Sequence, residues 1–172
     1  MNIYGIVGWK NSGKTTLVER LVAEITGRGF TVSTIKHAHH TFDIDHEGKD
    51  SHRHRSAGAG EVLLVSRNRW ALMHENRGTP EPPLSALLDK LAPVDLVLIE
   101  GYKRDDHPKI EARNVHGTQD MLALSDPTIR AVAAGVPVEG LAIPVLDINN
   151  IEKIADFILQ EVNLVQNTET GE

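Results

Sequence analysis

A chain of 172 residues, 40% hydrophobic and 24% charged, has the size and composition of one α/β domain that buries a core without staples. The absence of cysteine excludes disulfide frameworks, thiolate metal sites and cysteine nucleophiles, and fits a reducing cytoplasm. A formal net charge of -6 argues against a general nucleic-acid binder, no apolar run nears the roughly 20 residues of a bilayer span, and the amino terminus lacks a signal peptide's order, so a cytoplasmic protein is expected.

In chain order, Ile3 to Val7 predicts a short buried strand that stops at Gly8. A helix follows from Lys14, with Leu17, Val18, Leu21, Val22 and Ile25 as its apolar stripe and Gly27 and Gly29 at its end. Thr31 to Ile35 predicts a second strand, which makes a βαβ unit and hence a parallel sheet. From Lys36 to Gly60 no period is visible, and the stretch reads as a functional loop. Glu61 to Val65 and Trp70 to His74 predict two strands around a polar turn, and Leu84, Leu87, Leu88 and Leu91 a short helix. Leu96 to Ile99 is apolar enough for a mid-sheet strand. Ile110 to Arg113, Ile129 to Ala134 and Ile143 to Leu146 predict later strands. Ile151, Ile154, Ala155, Ile158, Leu159 and Val162 define a closing helix, and residues 166–172 a polar tail. The whole predicts one domain over residues 1–165, an α/β three-layer P-loop NTPase fold with a mostly parallel central sheet flanked by helices.

Gly8-Trp9-Lys10-Asn11-Ser12-Gly13-Lys14-Thr15 matches the Walker A pattern between a strand and a helix. Such glycines let the backbone curl until several N–H groups and the helix N-terminus face one phosphate group. Gly8, Asn11, Ser12 and Gly13 form the bowl, Lys14 brings a charge to the β- and γ-phosphates, Thr15 offers a hydroxyl to Mg²⁺ and Thr16 reaches an α-phosphate oxygen. Lys10 adds a second loop cation. Lysine in this loop marks the deviant Walker motif of dimeric SIMIBI-class NTPases, which set it beside the first glycine, where this chain has Trp9.

Mg²⁺ needs a carboxylate besides Thr15. Asp95-Leu96-Val97-Leu98-Ile99-Glu100-Gly101 offers two, at opposite ends of one strand. Ligands of parallel sheets sit at the carboxyl ends of strands, which selects Glu100 over Asp95. Gly101 then lets backbone approach the γ-phosphate. Asp50, in Gly48-Lys49-Asp50-Ser51, is the candidate to orient the attacking water, with Asp43 and Asp45 as competitors. Lys14, Asp50 and Glu100 are thus the candidate catalytic residues.

His37, His39, His40, His46, His52 and His54 lie in the patternless stretch without a closed-site metal spacing. Lys36, Lys49, Arg53 and Arg55 interleave with them and suit an anionic partner. The loop touches phosphates alone, so it leaves GTP and ATP open. Guanine's adjacent N1–H and N2–H donors suit one carboxylate, for which Asp126 and Asp147 are candidates, although no Asn-Lys-x-Asp motif is present.

The phosphate loop continued to Leu17, then Thr34-Ile35-Lys36-His37, Asp45, Gly48-Lys49-Asp50-Ser51, Ala57-Gly58-Ala59, Asp95 through Lys103 and Pro108-Lys109-Ile110-Glu111 together resemble the molybdopterin-guanine dinucleotide biosynthesis adaptor (MobB) family. The likeness covers about the first two-thirds of the chain. It implies a homodimer that binds GTP with Mg²⁺, hydrolyses it slowly and assists a MobA nucleotidyltransferase in joining GMP to molybdopterin, with molybdopterin or its molybdenum form as a further ligand. It also implies that Gly58 and its neighbours lie near the phosphates and that Lys103 contacts an anion. Two rivals compete: a GTP-dependent metal-insertion protein with a histidine store, and a P-loop small-molecule kinase, for which Arg53 to Arg55 is a modest lid.

Overall fold

The computed structural model describes residues 1–38, 44–114 and 119–164. The expectations at His39, His40, Asp43 and the tail 166–172 lie outside the described residues. In chain order the elements are β1 (Asn2–Val7), α1 (Lys14–Gly27), β2 (Val32–Lys36), α2 (Asp50–Ser56), β3 (Glu61–Val65), β4 (Trp70–His74), α3 (Leu84–Leu88), β5 (Leu96–Glu100), β6 (Lys109–Arg113), β7 (Ile129–Ala134), β8 (Val145–Asp147) and α4 (Ile151–Glu161). A 3-10 turn, Leu122–Leu124, precedes β7. The chain falls into two compact units, Met1–His37 with Leu91–Glu172, and Ala38–Lys90.

The first unit is a six-stranded sheet in the order β2-β5-β1-β6-β7-β8, and every pairing is parallel. All six carboxyl ends therefore share one edge. β1 lies between β5 and β6, so the chain leaves it in one direction and returns on the other side, which is where α/β sheets open a crevice for ligands. β5 is buried along its whole length, as its unbroken apolar run requires. Leu17, Leu21 and Ile25 of α1 and Ile154 and Ile158 of α4 pack with Tyr4, Ile6, Leu98 and Ile110 of the sheet in one core cluster. This burial fixes α1 with its first turn over the carboxyl end of β1. β8 begins two residues later than the pattern predicts: Pro144 accepts from the Val132 N–H at 2.9 Å but has no N–H of its own to give.

In the second unit β3 and β4 form an antiparallel hairpin with Glu61 opposite His74 and Val65 opposite Trp70. α2 lies inside the stretch expected to be irregular. No apolar stripe marks it, because a single residue, Ser51, is buried. Its charges suit a helix instead, with Asp50 in the first turn and Arg53, His54 and Arg55 in the last. The Arg55 guanidinium binds the Asp45 carboxylate and, at 2.8 Å, Glu75 Oε1. Arg77 donates to the carbonyls of Arg55 at 2.8 Å and Ala59 at 2.9 Å. Charge pairs rather than apolar periodicity hold this segment.

Candidate functional site

Gly8 to Thr15 joins β1 to α1. Gly8 adopts φ 147°, and a Cβ there would stand 2.5 Å from both the Ala112 carbonyl oxygen and Ser12 Oγ. No side chain fits where the loop crosses β6. Gly13 adopts φ 90° and caps α1 without a side-chain hydrogen bond, so the first amides of the helix have no capping partner from it. Ser12 is buried, whereas Lys10, Asn11, Gly13, Thr15 and Thr16 are exposed.

The Lys14 ammonium bonds to the Trp9 carbonyl at 2.6 Å and reaches Ser12 Oγ at 3.4 Å, which holds it inside the curl of its own loop. Thr15 Oγ1 donates to Glu100 Oε1 at 3.0 Å. Lys36 Nζ stands 3.4 Å from each of these two oxygens. Burial lowers the Lys14 pKa, the charges of Lys103 and Lys36 lower it further, and Glu100 opposes them. The charges that act on Lys14 are thus two further ammonium groups, Lys36 and Lys103, against one carboxylate, Glu100, which leaves a surplus of positive charge at the α1 N-terminus suited to an anion.

The donor set also fits Mg²⁺. Neighbouring ligands of an octahedral Mg²⁺ at about 2.1 Å lie about 3 Å apart, close to the Thr15–Glu100 separation. One hydroxyl, one carboxylate, phosphate oxygens and water are the ligands this ion takes. The structure brings Glu100 against Thr15 of the Gly8–Thr16 segment. Asp95, at the other end of β5, accepts from the Thr31 amide at 2.7 Å and hydroxyl at 2.6 Å and acts as a strut.

Gly101 has a second reason to be glycine: with φ 101°, a Cβ there would lie 2.9 Å from His37 Cβ. The His37 ring lies 4.7 Å from the Tyr102 ring, and the His37 backbone N–H donates to the Glu100 carbonyl at 2.9 Å. Lys103 Nζ stands 4.2 Å from the centroid of the Trp9 ring, whose Nε1–H donates to the Asp120 carbonyl at 2.7 Å. Sequence pattern gave no sign of this indole anchor, because both contacts span long sequence separations.

Asp50 opens α2 in the second unit, exposed and 3.9 Å from Arg53. Its rival Asp45 is engaged by Arg55 and serves as structure. Gly58 adopts φ 113° in the second unit, just after α2. His46, His52, His54 and Lys49 belong to the same unit, and no cluster of three His, Asp or Glu groups suited to a metal exists among the described residues.

The two base-contact candidates separate cleanly. Asp126 precedes β7, at the amino edge of the sheet; it accepts from the Thr128 amide at 2.9 Å and the Thr128 hydroxyl at 2.5 Å and forms an ion pair with the Lys109 ammonium at 3.6 Å. The expectation for Asp126 is corrected: it is a turn and ion-pair residue on the wrong edge for a nucleotide. Asp147 ends β8 at the carboxyl edge, exposed, accepting from the Asn149 N–H at 2.8 Å. Ile148 beside it comes within 3.7 Å of the position of a Cβ on Gly13. Arg20 of α1 donates to the carbonyls of Ile148 at 3.0 Å and Asn149 at 2.7 Å, a clamp that no motif announced.

The family model of molybdopterin guanine dinucleotide synthesis protein B, MobB, matches residues 3–135. The molybdopterin-guanine dinucleotide biosynthesis adapter protein of Haemophilus influenzae is 43% identical over 162 residues, covering 91% of this chain and 86% of that one. The adapter protein of the same description from Escherichia coli is 37% identical over 161 residues, 92% of this chain and 91% of that one. The crystal structure of a MobB homologue from Bacillus stearothermophilus superimposes with a TM-score of 0.71 at 31% identity, over 96% of this chain and all of that one. On these matches, the chain belongs to the MobB family.

Proposed function

We propose that this chain is a GTP-binding adaptor of molybdopterin-guanine dinucleotide biosynthesis, binding Mg·GTP at the Gly8–Thr15 loop and hydrolysing it slowly. The observation that carries the nucleotide part is the 3.0 Å contact of Thr15 Oγ1 with Glu100 Oε1 beside three lysines at a helix N-terminus. The adaptor part rests on the family to which the chain belongs.

Loop amides and Lys14 hold the β- and γ-phosphates and offset the charge that develops on them as water attacks in line. Thr15 and Glu100 would hold Mg²⁺, which when bound would supply further charge neutralisation at the phosphate oxygens. Asp50 is the proposed water-orienting acid, and its Asn variant tests that role by lowering turnover without weakening nucleotide binding. No arginine stands among the groups assigned to the phosphates, so turnover is slow. Asp147 is the proposed guanine contact.

Homodimerisation is proposed through the hairpin. Leu63 pairs with Leu72 and Val65 with Trp70 on one face, and all four are exposed, Val65 at 72% and Trp70 at 68%. Apolar faces of this kind mark interaction surfaces. Trp70→Lys then gives monomers by sedimentation velocity where the parent gives dimers. The direct test of the whole reading is competition between GTP and ATP, followed by reconstitution with a MobA-type guanylyltransferase. Preference for GTP and faster joining of GMP to molybdopterin are expected. Tight, stoichiometric Ni²⁺ or Zn²⁺ binding, or multiple-turnover phosphate transfer to a metabolite, would favour the rivals.

A further inference from the structure

Arg20 lies half-buried on the second turn of α1, the helix whose first turn carries Lys14 and Thr15. Its guanidinium donates to the Ile148 carbonyl at 3.0 Å and to the Asn149 carbonyl at 2.7 Å. Both carbonyls belong to the turn between β8 and α4, at the carboxyl edge of the sheet. That turn follows directly on Asp147, and Ile148 brings it within 3.7 Å of a Cβ position on Gly13. A planar guanidinium that meets two consecutive main-chain carbonyls fixes backbone, because its donors sit in a rigid fork.

The same turn is tied down from other sides. The Ile148 N–H donates to the Ala134 carbonyl at the end of β7 at 3.0 Å. The Asp147 carboxylate accepts from the Asn149 N–H at 2.8 Å, and the Asp147 carbonyl from the Asn150 N–H at 2.9 Å. Asn150 Oδ1 accepts from the Lys153 N–H at 3.1 Å and caps α4. Arg20 adds the polar tie to α1. A carboxylate that accepts N1–H and N2–H of one guanine needs both oxygens at set positions, since hydrogen bonds weaken steeply off their distance and angle. Such a group is placed by the residues that support it, to about 0.5 Å.

We propose that Arg20 is a positioning residue for base selection: by holding the Ile148 and Asn149 carbonyls it sets the Asp147 carboxylate at a fixed reach from the phosphate loop. The inference rests on the guanine contact proposed for Asp147 above. One helix then serves both ends of the nucleotide. The first turn of α1 takes the phosphates, and its second holds the turn that takes the base. Loss of Arg20 therefore acts on the choice of base and not on the grip of the phosphates.

The experiment is calorimetric titration of the full chain and its variants with GTP, ATP and inorganic tripolyphosphate, each with Mg²⁺. Tripolyphosphate reads the phosphate grip alone. Arg20→Ala is expected to weaken GTP about tenfold while ATP and tripolyphosphate stay within about twofold of the parent, the size of a displaced hydrogen-bonded contact. Arg20→Lys, which keeps a cation but loses the fork, should weaken GTP less than Arg20→Ala does. It also keeps the test open should the alanine variant unfold. In an Asp147→Ala background, Arg20→Ala should cost nothing further, because the two residues act as one unit. Three results would overturn the proposal: an unchanged GTP-to-ATP ratio in both Arg20 variants, an equal loss of GTP and tripolyphosphate, or losses from Arg20 and Asp147 that simply add. If Asp147→Ala abolishes the preference for GTP and the Arg20 variants keep it, the guanine reading stands and this inference alone fails. If the parent shows no preference and Asp147→Ala changes nothing, the guanine reading fails and takes this inference with it.

Discussion

The two edges of the parallel sheet use the same residue types to opposite ends. At the amino edge Asp95 and Asp126 are met by donors built into the fold. Thr31 gives Asp95 its hydroxyl and amide, and both bonds hold that carboxyl below its ordinary pKa. For Asp126, burial pushes the pKa up, but the Thr128 hydroxyl and amide and the Lys109 charge outweigh it and the net direction is down. The Lys109 ammonium is buried there, bonded to the Asp105 carbonyl and the Thr128 hydroxyl. At the carboxyl edge Glu100 faces Lys14 and Lys36, with Lys103 nearby, and positive charge exceeds negative. A satisfied edge stabilises; an unbalanced one is suited to bind. Asp95 and Glu100 lie on one strand five positions apart, and the edge alone decides their roles.

Breaking the binding edge should give the largest effect. Lys14→Ala is expected to weaken GTP binding on the order of 100-fold or more, consistent with the ~2–5 kcal/mol typical of truncating one partner of a desolvated charge pair. Its melting temperature should stay near the parent's, which calorimetry checks. Glu100→Gln is expected to lower Mg²⁺-dependent phosphate release about a hundredfold and to raise the Mg²⁺ requirement, measured by metal titration of turnover.

Breaking the structural edge should do the reverse. Asp126→Asn is expected to cost about 1–3 kcal/mol in urea unfolding, because buried Lys109 loses its counter-charge, while GTP affinity stays unchanged. A smaller, pH-dependent effect comes from His107, buried with both ring nitrogens unbonded and packed over Gly5. Burial, then the Lys109 charge, lowers its pKa. The unfolded chain therefore takes up a proton near pH ~6.5 that the folded chain refuses, so stability is complete above that value and falls as the pH drops below it. His107→Gln should flatten the urea midpoint between pH 7 and about 5. The lowered Asp95 and Asp126 act in the same direction but in the lower, carboxylate range, their stabilisation being lost as the pH falls through their folded values.

The binding edge was the more legible of the two. Gly8, Gly13, Lys14 and Thr15 announce themselves because the Walker A pattern fixes those residue types at that spacing. Glu100 followed from a buried apolar strand and the rule that parallel sheets bind at their carboxyl ends. The strand and helix pattern of the first unit was readable for the same reason: Leu17, Leu21 and Ile25 repeat at helical spacing because one face of α1 is buried. α2 was not readable, because its seven residues are held by Arg55 to Asp45 and Glu75 rather than by an apolar stripe. Asp126 and Asp147 look alike in sequence, and only strand order shows that they lie at opposite edges. The Trp9–Lys103 and Arg20–Ile148 contacts join residues about a hundred positions apart, which no local period encodes.

The most direct measurement is the crystal structure of the full chain with Mg²⁺ and a non-hydrolysable GTP analogue. The account predicts β- and γ-phosphates on the Gly13, Lys14 and Thr15 amides, with the metal touching Thr15 Oγ1 and the guanine beside Asp147. Nucleotide bound away from the Gly8–Thr15 loop, or a metal held without Thr15, would contradict it.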